Sequence, residues 1–451
     1  MTPEFLLEAP AKAAAGEMRI TRRAGAEQAL VAVVGLSHAG LPSALALRRA
    51  GFRIVGIDTS SSRLNEIRNG RADLLGVRLE DLRDQLGDEG FVVTDKIEAI
   101  GVADMVLICV PTIVDSHGLP NTEALGRTCA AVVRHARAGQ TLVLTSSTYV
   151  GSTRELLVAP LAERGFCVGE DVFVAFSPEC HDPDVRDQGQ LRTVRVVGAV
   201  TETCFRHALQ LLGPICEGLH RVSSPAAAEM VKLYESSFHA VNVALACEMA
   251  DACRALALDP TEVTDAASTR PLGFMARYPS AGVGGQGVGV EAQYLLRSLT
   301  ERGTSAALAE EALRIVGARP YRVAMRAHEL LLRSGRLLRD LRVLVVGAAE
   351  EPGIVDCDQA PAVEIISRLL AEGVQVDFHD PLVPVLRDDG EDMYSVDPDP
   401  RRDASGFGPE DYELAILVGL RGGQDYGWLG RCPQVLDCTY RERTGRRHFL
   451  L

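Results

Sequence analysis

Residues 224–257 read SPAAAEMVKLYESSFHAVNVALACEMADACRALA, and beyond Pro225 neither glycine nor proline interrupts the chain until Pro260. Ser224 suits an N-cap, and Pro225 suits the first helical position, where a missing N–H costs nothing. Met230, Leu233, Phe238, Val241, Leu245, Met249 and Leu256 recur at three- and four-residue steps. That spacing predicts one helix with a broad apolar stripe. At 1.5 Å per residue the helix would run roughly 50 Å, longer than one small domain needs. It reads as a spine that joins two domains and pairs with a second subunit.

Two alternating α/β stretches flank the spine. On its N-terminal side ALVAVVG begins at Ala29, followed by the helical LPSALALRRAG and the strand RIVGID, which ends at Asp58. FVVT, ADMVLICVP, TLVLTSS and DVFVAFSPE continue the series. On its C-terminal side, after the glycine-rich stretch 282–289, LRVLVVG (341–347) opens a second series with PAVEIISRLLAEG, VQVDFHDP, YELAILVG and QVLDC. Short β-branched runs alternating with helical segments indicate parallel sheets with crossover helices. The expected fold is therefore α/β, with two Rossmann-like doubly wound domains joined by a long central helix. The expected division is an extension over 1–28, a nucleotide-binding domain over 29–222, a helical dimerisation domain over 223–335 and a second Rossmann-like domain over 336–451. The Asp/Gly/Pro-rich segment 384–408 reads as surface loop.

A formal charge of −14 disfavours nucleic-acid polymers and anionic membrane surfaces as partners. No apolar run approaches the ~20 residues of a membrane span. The eleven cysteines form no CxxC and no Cys/His ligand spacing, so no metal site is expected. Their odd number and the lack of a signal-peptide pattern point to a reducing cytoplasm. Cys247 and Cys253 read as buried thiols on the spine.

The turn Gly35-Leu36-Ser37-His38-Ala39-Gly40 links the first strand to the first helix. Such a turn lays a pyrophosphate on backbone N–H groups at a helix N-terminus. Ser37 stands where the middle glycine of the usual pattern would be. Asp58, closing the next strand, supplies the carboxylate that binds ribose hydroxyls and disfavours a 2′-phosphate. The cofactor expected here is NAD.

Longer motifs carry a resemblance. They are GLSHAGLP (35–42), ICVPT (108–112), SSTYVGST (146–153), AFSPE (175–179), AAEMVKLYESSFHAVNVAL (227–245), GFMARYPSAGVGG (273–285) and VEIISRLLAEGVQVDFHDP (363–381). From Ala29 to Asp437 the chain resembles the UDP-glucose/GDP-mannose dehydrogenase family, in particular its branch acting on UDP-N-acetylhexosamines. The resemblance implies an N-terminal NAD domain, a dimerising central helix and a C-terminal domain that grips a nucleotide sugar. The family's usual reaction takes a sugar C6 alcohol to a carboxylate with two NAD, through a cysteine thioester.

Carried onto this chain, the resemblance implies that Lys232 stabilises charge on the reacting oxygen. It gives Glu179 a role in proton transfer or in holding a water, and Ser147 the hydroxyl beside that water. Val110, Pro111 and Thr112 form a turn at the cofactor; Tyr278, Gly284 and Gly285 lie in the substrate loop. Other positions depart. Ser236 stands for an asparagine, Glu291 for an aspartate, and Gly287 for the nucleophilic cysteine. Glu351 and Asp358 reverse the charge of a lysine and an arginine that face the nucleotide sugar. Cys180 is a conceivable but incidental thiol. Without a thiol at position 287 the expected chemistry is a single hydride transfer, giving an aldehyde or ketone, or a redox-neutral epimerisation. The alternative is a non-catalytic binder of the same fold.

Overall fold

The computed structural model describes residues 29–451 except 38, 72–78, 87–89, 115–119, 180–193, 271–272, 283–287, 349–359, 382, 384, 389–390, 398–407, 421–423 and 441–447. The first sheet contains β1 (Leu30–Val34), β2 (Arg53–Ile57), β3 (Phe91–Thr94), β4 (Met105–Ile108), β5 (Thr141–Leu144), β6 (Phe173–Phe176), β7 (Val194–Ala199) and β8 (Gly218–Val222). Their spatial order is β8-β7-β6-β5-β4-β1-β2-β3. Strands β1 to β6 run parallel, β7 turns antiparallel to β6, and β8 is parallel to β7. The order reverses at β1, between β2 and β4, which is where a doubly wound sheet opens a crevice at its strand ends. Both faces are covered. Val31 and Val33 enter one core while Ala32 and Val34 enter the other, as the two-residue period of a buried parallel strand requires.

A second sheet is built from β9 (Arg342–Val346), β10 (Gln375–His379), β11 (Leu414–Leu417), β12 (Val435–Asp437) and β13 (His448–Leu450). It is all parallel, in the order β10-β9-β11-β12-β13, the other common doubly wound arrangement. Residues Val385–Asp388 and Glu391–Tyr394 pair as an antiparallel hairpin, so the 384–408 segment is not simply surface loop. Leu386 and Met393 give that hairpin an apolar side, which docks on the C-terminal core. The turn-rich composition hid these two residues.

The spine is one helix, Pro225–Ala255, of 31 residues. The Ser224 hydroxyl accepts from the Ala227 N–H at 3.2 Å, capping its start. Residue by residue it enters successive cores. Ala228 joins a core of the first sheet, and Leu233 packs with Val290, Tyr294 and Leu295. Val243, Ala244 and Cys247 meet Ala312, Ile315 and Val316, and Ala250 ends in the C-terminal core. The buried face is therefore mostly Ala, Ser and Cys, small enough to let neighbouring helices come close. Of the large apolar residues in the expected stripe, Leu233 is buried, whereas Met230, Phe238, Leu245, Met249 and Leu256 are exposed within the single chain. Periodicity found a stripe on the side that other elements of the chain leave open.

Candidate active site

The cofactor turn is built by close backbone approach. Gly35 has φ of +91°, and a Cβ there would lie 2.6 Å from the Cys109 carbonyl oxygen and 3.1 Å from Val110 Cα. At Gly40, the first residue of helix α1 (Gly40–Arg49), a Cβ would lie 1.8 Å from the Gly35 oxygen. Both glycines are thus required by packing. Ala39, the N-cap of α1, makes no side-chain cap. The Leu41 N–H donates to the Ser37 oxygen at 3.1 Å and Pro42 has no N–H, so the positive end of the helix dipole is what an anion would meet here. Ser37 Oγ is buried without a hydrogen-bond partner. Asp58 Oδ2 accepts from the Leu36 N–H at 2.8 Å and Oδ1 from the Ser60 N–H at 2.9 Å, so the carboxylate fixes the turn and keeps lone pairs for ribose hydroxyls. Thr112 is buried, Val110 half-buried and Pro111 exposed, just beyond the end of β4 and against the turn. The groups present fit an NAD pyrophosphate and its ribose. His38 lies outside the described residues.

A second cluster forms where the spine meets the helix Val288–Thr300. Glu291 is 2 % exposed, and its two carboxylate oxygens accept from the hydroxyls of Ser147 and Ser236. Lys232 Nζ stands 3.6 Å from Glu291 Oε2. Lys232 and Ser236 lie four residues apart on the spine and so share a face. Beneath them Leu233, Val290, Tyr294, Leu295, Tyr149 and Val150 make an apolar floor. A buried carboxylate held by two hydroxyls and an ammonium is a preorganised polar site, which a low-dielectric setting makes strong.

Glu179 is held elsewhere. Its Oε1 accepts from Ser43 Oγ of α1 at 3.0 Å and from Arg195 Nη2 at 3.1 Å. The expected proton-transfer carboxylate is therefore tied to the first turn of the cofactor helix, and its described hydrogen bonds do not reach the Lys232 cluster. Nearby Cys109 is pushed up to about 12, chiefly by burial and further by Glu179, so it stays a thiol. Tyr278 donates to Asp265 Oδ1 at 2.5 Å. Gly284, Gly285, Gly287, Cys180, Glu351 and Asp358 lie outside the described residues. Among the described residues no group of three His, Cys, Asp or Glu is placed to hold a metal, and no helix is long and apolar enough to cross a membrane.

Two residues were missed in the sequence reading. Glu229, on the first turns of the spine and 1 % exposed, accepts from the Gly151 N–H (2.5 Å), Ser152 Oγ (3.0 Å), Thr153 N–H (2.8 Å) and Thr153 Oγ1 (2.6 Å). It caps the helix starting at 152 and pins the segment carrying Ser147 to the helix carrying Lys232. Arg195, buried in β7, pairs with Glu179. A carboxylate inside a predicted apolar helix face was the available signal for Glu229; a lone arginine in a short strand gave none for Arg195.

The model of the UDP-glucose/GDP-mannose dehydrogenase family, NAD binding domain, matches residues 29–215, and the central-domain model of the same family matches residues 226–316. The chain is 28 % identical over 356 residues to a UDP-N-acetyl-D-mannosamine dehydrogenase of Pyrococcus horikoshii, covering 78 % of this chain and 84 % of that protein. It is 27 % identical over 371 residues to a UDP-N-acetyl-D-glucosamine 6-dehydrogenase of Pseudomonas aeruginosa, covering 82 % and 86 %. The solved UDP-D-ManNAc dehydrogenase of P. horikoshii superposes with a TM-score of 0.80 at 23 % identity, over 93 % of this chain and 98 % of that one. NAD is the cofactor that the N-terminal domain takes. The chain belongs to the UDP-glucose/GDP-mannose dehydrogenase family.

Proposed function

We propose that this chain is an NAD-dependent oxidoreductase that removes one hydride from an alcohol of a nucleotide sugar and releases or re-reduces the carbonyl, rather than carrying it to the acid. The observation that carries the reading is the cluster of Lys232, Ser147 and Ser236 around Glu291, taken with the glycine at sequence position 287, where the family resemblance implies the thiol for covalent capture. NAD, when bound, would supply the hydride acceptor. Gly35, Ser37, Gly40, Asp58, Val110 and Thr112 would hold it, by the backbone approach and the carboxylate lone pairs described above.

Lys232 is suited to bind the alcohol oxygen and to stabilise the negative charge that grows as the proton leaves. Glu291 orients Lys232 and the two hydroxyls, so their direction is set before substrate arrives. The O–H proton passes through Ser147, whose own hydroxyl proton moves to the Glu291 carboxylate it already donates to, or through water to solvent. The carbon loses its hydride and becomes a carbonyl. Glycine at 287 forms no hemithioacetal, so the second oxidation has no covalent intermediate to draw on. Exposed Met230, Phe238, Leu245 and Met249 on the spine support pairing with a second copy.

The test is incubation of the full chain with NAD and a UDP-N-acetylhexosamine, reading NADH and hydroxylamine-trapped carbonyl together. One NADH per trapped carbonyl, or substrate epimer with no net NADH, is the expected result. Two NADH per uronic acid would overturn the reading, and so would neither NADH nor epimer. Lys232→Ala should lower turnover by about 10²–10³-fold, with circular dichroism unchanged.

A further inference from the structure

At the far end of the spine, about 28 Å along it from Lys232, the last turn and the helix Arg319–Leu332 line a cavity of about 390 Å³. Its wall holds Arg254, Arg319, Arg322 and Arg326 against the carboxylates of Asp251 and Glu329. Asp251 is shared by three guanidiniums: Arg319 Nη1 at 3.2 Å, Arg322 Nη1 at 2.6 Å and Arg254 Nη2 at 3.7 Å. Arg326 pairs with Glu329 at 2.7 Å. Arg319 is wholly buried, and its Nη2 has no hydrogen-bond partner; nor does Arg326 Nε.

Leu451, the last residue of the sequence, also lines the cavity. Four guanidiniums outnumber the carboxylates of Asp251 and Glu329 even with the carboxyl group of Leu451 added, so the wall keeps a small excess of positive charge within a chain whose formal net charge is −14. A buried guanidinium donor without an acceptor is costly in a native structure and marks a place where an acceptor belongs. Planar guanidinium forks match the oxygens of a phosphate two at a time, which a lone carboxylate does not exhaust. The volume lies within the range of small-ligand sites.

We infer that this cavity is a binding site for a phosphate- or diphosphate-bearing small molecule, separate from the cofactor turn and from the Lys232 cluster. Arg319 and Asp251 form its fixed floor, and Arg254, Arg322 and Arg326 are the groups that close on the ligand. The site does not depend on the reaction assigned to the Lys232 cluster.

Calorimetric titration of inorganic pyrophosphate, and separately of inorganic phosphate, into the NAD-saturated full chain tests it. Saturating NAD fills the N-terminal turn, so heat that remains reports another site. The expected result is salt-sensitive binding that weakens by at least about tenfold in Arg322→Ala/Arg326→Ala, a pair that leaves the Arg319–Asp251 contact in place. Arg254→Ala alone should weaken it in the same direction, should the double variant lose its native urea midpoint. Equal affinity in wild type and variants, or no heat up to about 10 mM of either anion, overturns the proposal.

Discussion

The two doubly wound units use one device at the start of their sheets and expose it differently. In the first, Gly35 has φ of +91°, its N–H donates to the Ile57 oxygen at 2.8 Å, and the next N–H, of Leu36, donates to Asp58. In the second, Gly347 has φ of +87°, its N–H donates to the His379 oxygen at 2.9 Å, and the next N–H, of Ala348, donates to Asp380 at 2.9 Å. Each glycine also presses on the chain just after the strand that flanks its own on the other side, β4 in the first unit and β11 in the second, at Cys109 and at Gly419. Asp58 is half-buried, whereas Asp380 is 2 % exposed. The same hydrogen bond can therefore serve a ligand in the first unit and only the fold in the second.

The largest effects should come from the glycines. A Cβ at Gly347 would lie 2.1 Å from the Gly419 oxygen, against 2.6 Å from the Cys109 oxygen at Gly35. With positive φ added, Gly347→Ala should cost about 3–5 kcal/mol in urea unfolding and Gly35→Ala somewhat less. Equal tolerance of both would break the parallel between the turns.

The aspartates sharpen the contrast. Asp380→Ala leaves the buried Ala348 N–H without an acceptor and should cost about 1–3 kcal/mol with NAD affinity unchanged. Asp58→Ala should cost about 1 kcal/mol in stability but raise the NAD Kd at least about tenfold. Asp380→Ala weakening NAD as much as Asp58→Ala would show that the two turns do not divide the work.

Acid should separate the units by the smallest margin. In the first unit His207 stacks on Phe173 with ring centroids 3.5 Å apart and meets Thr141 Oγ1. Burial, and then Arg206, hold its pKa below 6.5. A folded pKa below the unfolded one means the unfolded chain takes up the proton first. This stability is complete above pH 6.5 and is lost as pH falls through the folded pKa. In His207→Phe the unfolding free energy from urea melts should fall less than in wild type between pH 7 and 5, by about 0.3 kcal/mol or less after solvent screening. A steeper fall would contradict the sign.

Much of the fold could be read because strand, glycine turn and helix follow one another locally in both units. The spine's capping residues and uninterrupted length were equally local. Which of its faces lies inside was not, because the choice depends on small residues meeting partners far along the chain. Ala244 against Ile315 is such a case. The sequence names Lys232, Ser147, Ser236 and Glu291 one by one, but their meeting on one carboxylate is a tertiary fact. Glu229 and Arg195 act through partners distant in sequence. A hairpin within 384–408 was masked by turn-forming residues around its few apolar ones.

The most direct test of the contrast between the turns is calorimetric titration of NAD into the wild-type chain, Asp58→Ala and Asp380→Ala. The account predicts one NAD per chain with micromolar affinity, lost or much weakened in Asp58→Ala and kept in Asp380→Ala. Two sites per chain, or binding abolished by Asp380→Ala alone, would contradict it, as would no binding to wild type at millimolar NAD.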